Sequence, residues 1–323
     1  MPLNSRVRFG LCVLIGLALV ACNPGDDVVQ IDVPEERPEA RNILLIVADD
    51  MGFSDLGAFG GEIDTPNLDR MANEGIRFSA FYTAPNCSPT RAMLLSGVDH
   101  HRAGLGNMAE LMADNQAGQP GYEGYLNDRV VSVADILADA GYHTYIAGKW
   151  HLGLTEESSP AARGFERSFV LLQGGADHFD DTGLFAATPK ALYREDRNLA
   201  EWPKGKYSSD FYTDKLIEYI EQDHDSGRPF FAFLSFTAPH WPLQAPDDLI
   251  EKYQKYYLDG WAALRERRIE GQENAGFAVR GIPFSLPPAY ESWENLSPEQ
   301  RQREARTMAV FAAMVDSIDQ NVG

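Results

Sequence analysis

Apolar residues recur along the chain in two rhythms, unbroken short runs and helical stripes. The run Asn42-Ile43-Leu44-Leu45-Ile46-Val47 is continuous, the pattern of a strand buried on both faces of a parallel sheet. It stops at Ala48-Asp49-Asp50-Met51-Gly52. Thr65 then fits an N-cap and Pro66 the first helical position; Leu68, Met71 and Ala72 form a stripe that Gly75 ends. Ile76 to Tyr82 is predicted as a second strand. Ser132 opens a helix carrying Val133, Ile136, Leu137 and Ala140, Gly141 closes it, and Tyr142 to Ala147 returns as strand. A helix is expected near Phe211 to Gln222 and a strand over Phe230 to Phe236, while the rest of Leu154 to Pro229 stays mixed. Ser297-Pro298-Glu299-Gln300 is a capping box opening a helix with Met308, Phe311, Val315 and Ile318 on one stripe. Strands separated by helices imply an α/β domain with right-handed crossovers, whose ligands sit beyond the carboxyl ends of the strands.

The N-terminus follows a different logic. Arg6 and Arg8 precede the apolar run Leu11 to Ala21, shorter than the roughly 20 residues of a membrane-spanning helix and suited to a signal-peptide core. Leu19-Val20-Ala21-Cys22 resembles the bacterial lipobox, which makes Cys22 the lipidated first residue of the mature chain; a soluble secreted protein with a cysteine there by chance is the alternative. The expected organisation is a signal peptide over 1–21, a flexible tether rich in Pro, Asp and Glu over 22–40, and the folded domain over 41–323. The expected location is an exported lipoprotein on the periplasmic face of the outer membrane or the cell surface. Asn23, where inner-membrane retention would use aspartate, favours the outer membrane.

Composition narrows the function classes. With 28 Lys+Arg against 48 Asp+Glu, the net charge of −20 argues against a nucleic-acid partner, which needs clustered positive charge. A chain of 323 residues can bury about three quarters of its unfolded surface, so it needs neither metal nor disulfide merely to fold. Cys12 leaves with the signal and Cys22 carries lipid, so Cys87 is left in the folded region of an exported protein, where a thiol is a liability unless buried or used.

Polar chemistry gathers where the strands end. Asp49 and Asp50 follow the first strand; adjacent carboxylates there raise each other's pKa unless a cation sits between them, and hard oxygens suit Ca²⁺ or Mg²⁺. A solvated turn before Gly52 explains them equally well. In Asn86-Cys87-Ser88-Pro89-Thr90-Arg91, Ser88 fits an N-cap, Pro89 the first helical position and Gly97 the stop. That places Cys87 just before a helix N-terminus, with Arg91 near the same end, around one anionic group; a buried structural cysteine is the alternative. Lys149 and His151 in Gly148-Lys149-Trp150-His151 share a face if the chain stays extended, one to hold an anion and one to move a proton, or they are a surface pair. His240 in Thr237-Ala238-Pro239-His240-Trp241-Pro242 is a further candidate or a residue of a rigid turn. The remaining histidines, His100 and His101 included, read as loop or surface residues.

These motifs carry a family resemblance. Cys87-Ser88-Pro89-Thr90-Arg91 resembles the C-x-P-x-R signature of type I sulfatases, whose cysteine is oxidised to formylglycine. Asp49-Asp50-x-Gly52, Gly148-Lys149-Trp150-His151 and Ala238-Pro239-His240 resemble further sulfatase motifs in the same order, and Ala238 to Pro246 is especially similar to a bacterial arylsulfatase. The resemblance runs from about Arg41 to Gly323 and implies an alkaline-phosphatase-like α/β sandwich with a largely parallel central sheet, incomplete at its C-terminus. It implies a sulfuric ester hydrolase acting on a small-molecule or glycan sulfate ester, with Ca²⁺ preferred to Mg²⁺ and a maturation enzyme that forms the formylglycine.

By that resemblance the metal ligands are Asp49, Asp50 and matured Cys87, whose hydrated aldehyde attacks sulfur. Arg91 steadies the formylglycine, Lys149 and His240 contact the sulfate oxygens and help the alcohol depart, and His151 takes a proton from the second hydroxyl to expel sulfate. A formylglycine-dependent phosphonate or phosphodiester hydrolase shares these parts, and a non-catalytic envelope lipoprotein on the same scaffold is the reading from another class. Family members draw further metal ligands and another lysine from beyond the position matching Gly323. The resemblance therefore predicts weak Ca²⁺ binding and negligible hydrolysis by residues 41–323 alone, with apolar surface left uncovered on the Met308–Val322 helix and on the sheet.

Overall fold

The computed structural model describes residues 40–277 and 292–323; the signal peptide, Cys22 and the tether up to Glu39 lie outside the described residues. In chain order the elements are β1 (Ile43–Val47), α1 (Pro66–Glu74), α2 (Cys87–Ser96), α3 (Val133–Asp139), β2 (His143–Lys149), β3 (Arg167–Leu171), β4 (Thr182–Phe185), β5 (Thr188–Lys190), β6 (Tyr193–Glu195), β7 (Asn198–Ala200), α4 (Ser208–Gln222), β8 (Phe230–Ser235), α5 (Asp247–Tyr253), α6 (Gly260–Asn274) and α7 (Pro298–Val322). Among the described residues no helix is long and apolar enough to cross a membrane.

Six strands form one sheet in the order β1-β8-β2-β3-β6-β7, parallel from β1 to β3 and antiparallel from β3 to β7. Strands β4 and β5 pair separately. Successive side chains of a strand point to opposite faces, and here both faces are covered. Tyr145, Ala147, Ala232 and Leu234 face a core shared with α4, α5 and α7, whereas Ile146, Phe231 and Phe233 face one shared with α2 and α3. Double burial is why β2 and β8 lack polar alternation. Val47 and Gly148 both pair with Ser235, so β1, β8 and β2 end at one level.

The helix signals in the sequence rest on real caps. Ser132 accepts from the Asp135 amide while Asp135 returns a bond to the Ser132 amide, and Ser297 and Gln300 do the same at the start of α7. Thr65, expected to cap α1, instead bonds Asp69 and Gly57; the exposed amides of Asn67 and Leu68 are met by Asp319, far along the chain on α7. The α7 stripe is covered, with Val315 and Ile318 buried and Met308 and Phe311 packed against the same core, contrary to the expectation of an uncovered helix.

Two strand expectations need correcting. Strand β1 is an edge strand, with Leu44 54% exposed, because among the described residues it pairs with β8 and nothing on its other side. Ile76 to Tyr82 forms no strand; Ile76, Phe78, Phe81 and Tyr82 are exposed. A strand needs a partner for its backbone N–H and C=O groups, and no described strand pairs with this segment.

Candidate active site

The strand ends at Val47, Ser235 and Lys149 deliver the candidate residues to one place. Asp49 lies two residues past β1, held by its amide to the carbonyl of Ala238, and Phe236 binds back to the carbonyl of Val47. Lys149 is the last residue of β2 and fully buried, and its Nζ meets Asp49 Oδ2 at 2.6 Å. Arg91, one turn into α2, reaches the other carboxylate oxygen at 3.2 Å and also donates to Ser235 Oγ at 2.6 Å and the Lys149 carbonyl at 3.1 Å. Ser235 Oγ itself donates to that same carbonyl.

Gly148 makes this approach possible. Its φ of +117° is open to glycine, and a Cβ there would fall 1.8 Å from the Ser235 carbonyl oxygen.

Two cations on one buried carboxylate decide its charge. Burial raises the Asp49 pKa, but the Lys149 and Arg91 charges, His240 and the Lys149 hydrogen bond outweigh it and hold the carboxyl at about 2. For Asp49 the positive charges of Lys149 and Arg91 outweigh the raising that adjacent carboxylates would otherwise impose. Asp50 has φ +67° and is exposed, its Oδ2 3.7 Å from His240 Nε2 at the edge of the cluster.

Cys87 is the first residue of α2, with Asn86 as N-cap and the αL Gly97 as stop, so the helix begins earlier than the expected Ser88 cap. Ligand atoms of Asp49, Cys87 and His240 lie within 4.8 Å of one another and could hold a metal ion. Burial pushes the Cys87 thiol up; Asp49 and Asp50 push the same way, against Lys149 and Arg91. As a plain thiol it stays protonated at neutral pH and is a poor nucleophile.

The two histidines are fixed differently. His240 sits after the cis Ala238-Pro239 bond, and its Nδ1–H donates to the Trp241 carbonyl at 2.5 Å, leaving Nε2 toward Asp50. His151 has φ +57°, which breaks the extended path assumed for it and sends Lys149 and His151 to different partners. Its Nε2–H donates to Glu110 Oε1 at 2.9 Å, while the buried Nδ1 has no hydrogen-bond partner. Burial lowers the His151 pKa, opposed by the Glu110 bond and reinforced by Lys149 and Arg91, so the ring is held toward its neutral form.

Three residues of this site carry no signal in the sequence. Glu110 orients His151 from 41 positions away, Ser235 ties Arg91 to β2, and His178, buried in a loop, donates from Nε2 to the His240 carbonyl at 3.1 Å and accepts from Ser208 Oγ. The surface reading of the remaining histidines is thus corrected for His178 and for His143, which is buried beside Glu166. Solitary polar residues without a motif look alike whether buried or exposed until the fold surrounds them.

Comparison with known proteins places the chain in a family. The chain is 46% identical over 298 residues to an uncharacterized sulfatase of Schizosaccharomyces pombe, covering 87% of this chain and 53% of that protein. It is 40% identical over 292 residues to the arylsulfatase of Klebsiella aerogenes, covering 90% and 61% respectively. It therefore spans between half and two thirds of the length of these relatives. The crystal structure of a candidate sulfatase from Bacteroides fragilis superposes with a TM-score of 0.64 at 22% identity, covering 89% of this chain and 58% of that one, a likeness of fold that agrees with the alkaline-phosphatase-like α/β architecture. The model of the sulfatase family matches residues 41–323, from two residues before β1 to the end of the chain. With both relatives above 30% identity over most of its length, the chain belongs to the sulfatase family.

Proposed function

We propose that the protein hydrolyses sulfate monoesters, with Cys87 matured to formylglycine and a divalent cation, Ca²⁺ in preference to Mg²⁺, at the end of β1. The observation that carries the reading is the convergence of Asp49, Cys87, Arg91, Lys149 and His240, three of them with ligand atoms within 4.8 Å, on the exit of a parallel sheet. Donor chemistry fits the cation once Cys87 is matured: Asp49, Asp50 and a formylglycine hydrate offer hard oxygens, whereas a thiol sulfur suits softer metals. Such an ion supplies Lewis-acid stabilisation of the charge on oxygen. Hydrated formylglycine supplies a hydroxyl nucleophile that cysteine, with its raised pKa, does not.

The remaining roles follow from the side chains. Lys149 and Arg91 hold fixed positive charge where an anionic sulfuryl group would sit, so catalysis is largely positioning and electrostatics. His240 Nε2 faces the same space and, in the imidazolium form whose Nδ1–H stays on the Trp241 carbonyl, would pass its proton to the departing alcohol oxygen. His151 Nδ1 bears the ring's free lone pair, fixed by the Nε2–H bond to Glu110, and is the atom suited to accept a proton. Residues 1–21 would direct export and Cys22 would carry the lipid anchor, at the periplasmic face of the outer membrane or the cell surface.

The test is release of a chromogenic phenol from its sulfate ester with Ca²⁺ present. It uses the purified protein produced in a host competent for maturation, with mass spectrometry of the Cys87 peptide after export. Aldehyde at Cys87 and turnover abolished by Cys87→Ala support the proposal. An unmodified thiol in a host competent for maturation, or turnover that survives Cys87→Ala, overturns it.

A further inference from the structure

Among the described residues, metal-ligating side chains gather in threes at two places. One is the candidate active site. The other is Asp99, His100 and His101, just past α2, whose ligand atoms also lie within 4.8 Å of one another. The two rings are 4.4 Å apart, and none of the three residues takes part in the sulfate-ester reading. Each imidazole already has one nitrogen on an oxygen. His100 Nδ1–H donates to the Leu105 carbonyl at 3.0 Å, which leaves the ring's lone pair on Nε2. His101 Nδ1 lies 3.3 Å from Asp99 Oδ1, and its Nε2 lies 3.3 Å from Tyr122 Oη, a hydroxyl able to accept Nε2–H when Nδ1 gives its lone pair to an ion. Metal-ligating histidines are held in this way, the second nitrogen on an oxygen that fixes tautomer and ring orientation. Asp99 accepts from the His101 amide at 3.0 Å, and that bond holds its carboxyl below the usual range, so it is an anion at neutral pH. Gly106 admits the edge-on contact of His101 with Tyr122, since a Cβ there would fall 2.7 Å from both rings.

We propose that Asp99, His100 and His101 form a second cation site, for a divalent transition-metal ion of the Zn²⁺ type, that fastens the loop from Asp99 to Asn127. Two imidazoles and one carboxylate suit such an ion, whereas Ca²⁺ and Mg²⁺ seek oxygens alone. Three protein ligands leave the fourth tetrahedral position to water. Ligand atoms about 2.0–2.2 Å from zinc settle about 3.4 Å apart, and the Asp99 and His101 side chains, each about half exposed, have room for that short adjustment. The backbone around the cluster ties the loop together. The His100 and His101 carbonyls accept the Leu105 and Gly104 amides at 2.8 and 3.1 Å, and the Gly124 amide returns to the Gly104 carbonyl at 2.9 Å. The same loop carries Glu110 to His151, so an ion at its start steadies the segment that orients a candidate catalytic residue.

The experiment is calorimetric titration of the full chain with Zn²⁺, in a Cys87→Ala background that removes the thiol of the other cluster, followed by amide hydrogen exchange read by mass spectrometry. One Zn²⁺ should bind per chain with Kd below about 100 μM, and a ten-fold excess of Ca²⁺ should leave it in place. Asp99→Asn, His100→Gln and His101→Ala should each weaken zinc at least about ten-fold, with circular dichroism unchanged because Asp99 and His101 are exposed and His100 is only partly buried. Bound zinc should slow exchange in peptides from residues 99–127. A Kd above that limit, displacement by Ca²⁺, wild-type affinity in the three variants, or exchange in 99–127 that zinc leaves unchanged overturns the proposal.

Discussion

Replacing Asp49 by Asn removes one negative charge that faces two buried cations. The Lys149 ammonium at 2.6 Å and the Arg91 guanidinium at 3.2 Å would then lose the carboxylate they pair with, with Lys149 fully buried. The net electrostatic benefit to the native state can be read from the carboxyl itself. Its pKa falls from 3.8 to about 2 in the fold, a preference for the ionised form worth about 2 kcal/mol. Breaking a buried pair and leaving the partner unmatched typically costs about 3–5 kcal/mol. The two routes bracket a loss of about 2–5 kcal/mol at pH 7, a large share of the roughly 5–15 kcal/mol that holds a domain together.

Urea unfolding of wild type, Asp49→Asn, Lys149→Met and the double variant would measure it. The double variant should lose less than the sum of the singles, because each single strands a charge. The pH dependence has a defined sign. A carboxyl with a depressed native pKa contributes fully above its unfolded value and loses that contribution as pH falls toward the folded value. The wild-type advantage should therefore be complete above about pH 5 and fall to about half by pH 3. An Asp49→Asn midpoint equal to wild type at pH 7, or a gap that stays constant from pH 5 to pH 3, would refute the reasoning.

Gly148→Ala should cost at least about 4 kcal/mol or prevent folding, since its Cβ would meet the Ser235 carbonyl at 1.8 Å and relief requires parting β2 from β8; wild-type melting by circular dichroism would contradict this. Burial lowers the His178 pKa from 6.5 to about 4, so its neutral form supports the fold above pH 6.5 and that support drains away as pH falls toward 4. His178→Gln should accordingly flatten the acid loss of stability over that range by about 3 kcal/mol, and an unchanged slope in urea titrations at stepped pH would count against it. Cys22→Ser should abolish labelling by a fatty-acid analogue and release the protein from membranes, and persistent labelling would rule out anchoring there.

Local and pairwise information in the chain was enough for much of this molecule. Apolar runs located β1 and β8, and of the two only β8 is covered on both faces, where a strand has no polar side to display. Ser132 and Ser297 marked helix starts because a capping box closes within four residues. Asp49, Asp50, Cys87, Arg91, Lys149, His151 and His240 were nameable because each lies in or just after a short motif at the end of a strand or the start of a helix.

Tertiary structure decided which partner each of those residues has. The hydrophobic pattern of Ile76 to Tyr82 matches a strand, yet pairing is a property of two segments and no described strand pairs with it. Asp49 and Asp50 look equivalent in sequence, but the fold buries one between Lys149 and Arg91 and leaves the other exposed beside His240. The positive φ at His151, the carboxylate of Glu110 that orients it and the buried His178 behind His240 all depend on contacts across tens of residues. Sequence determines which chemical groups are available and which backbone paths are cheap; only the packed chain determines desolvation and distance, and those two quantities set the charge, the hydrogen bonding and the reach of every group in the site.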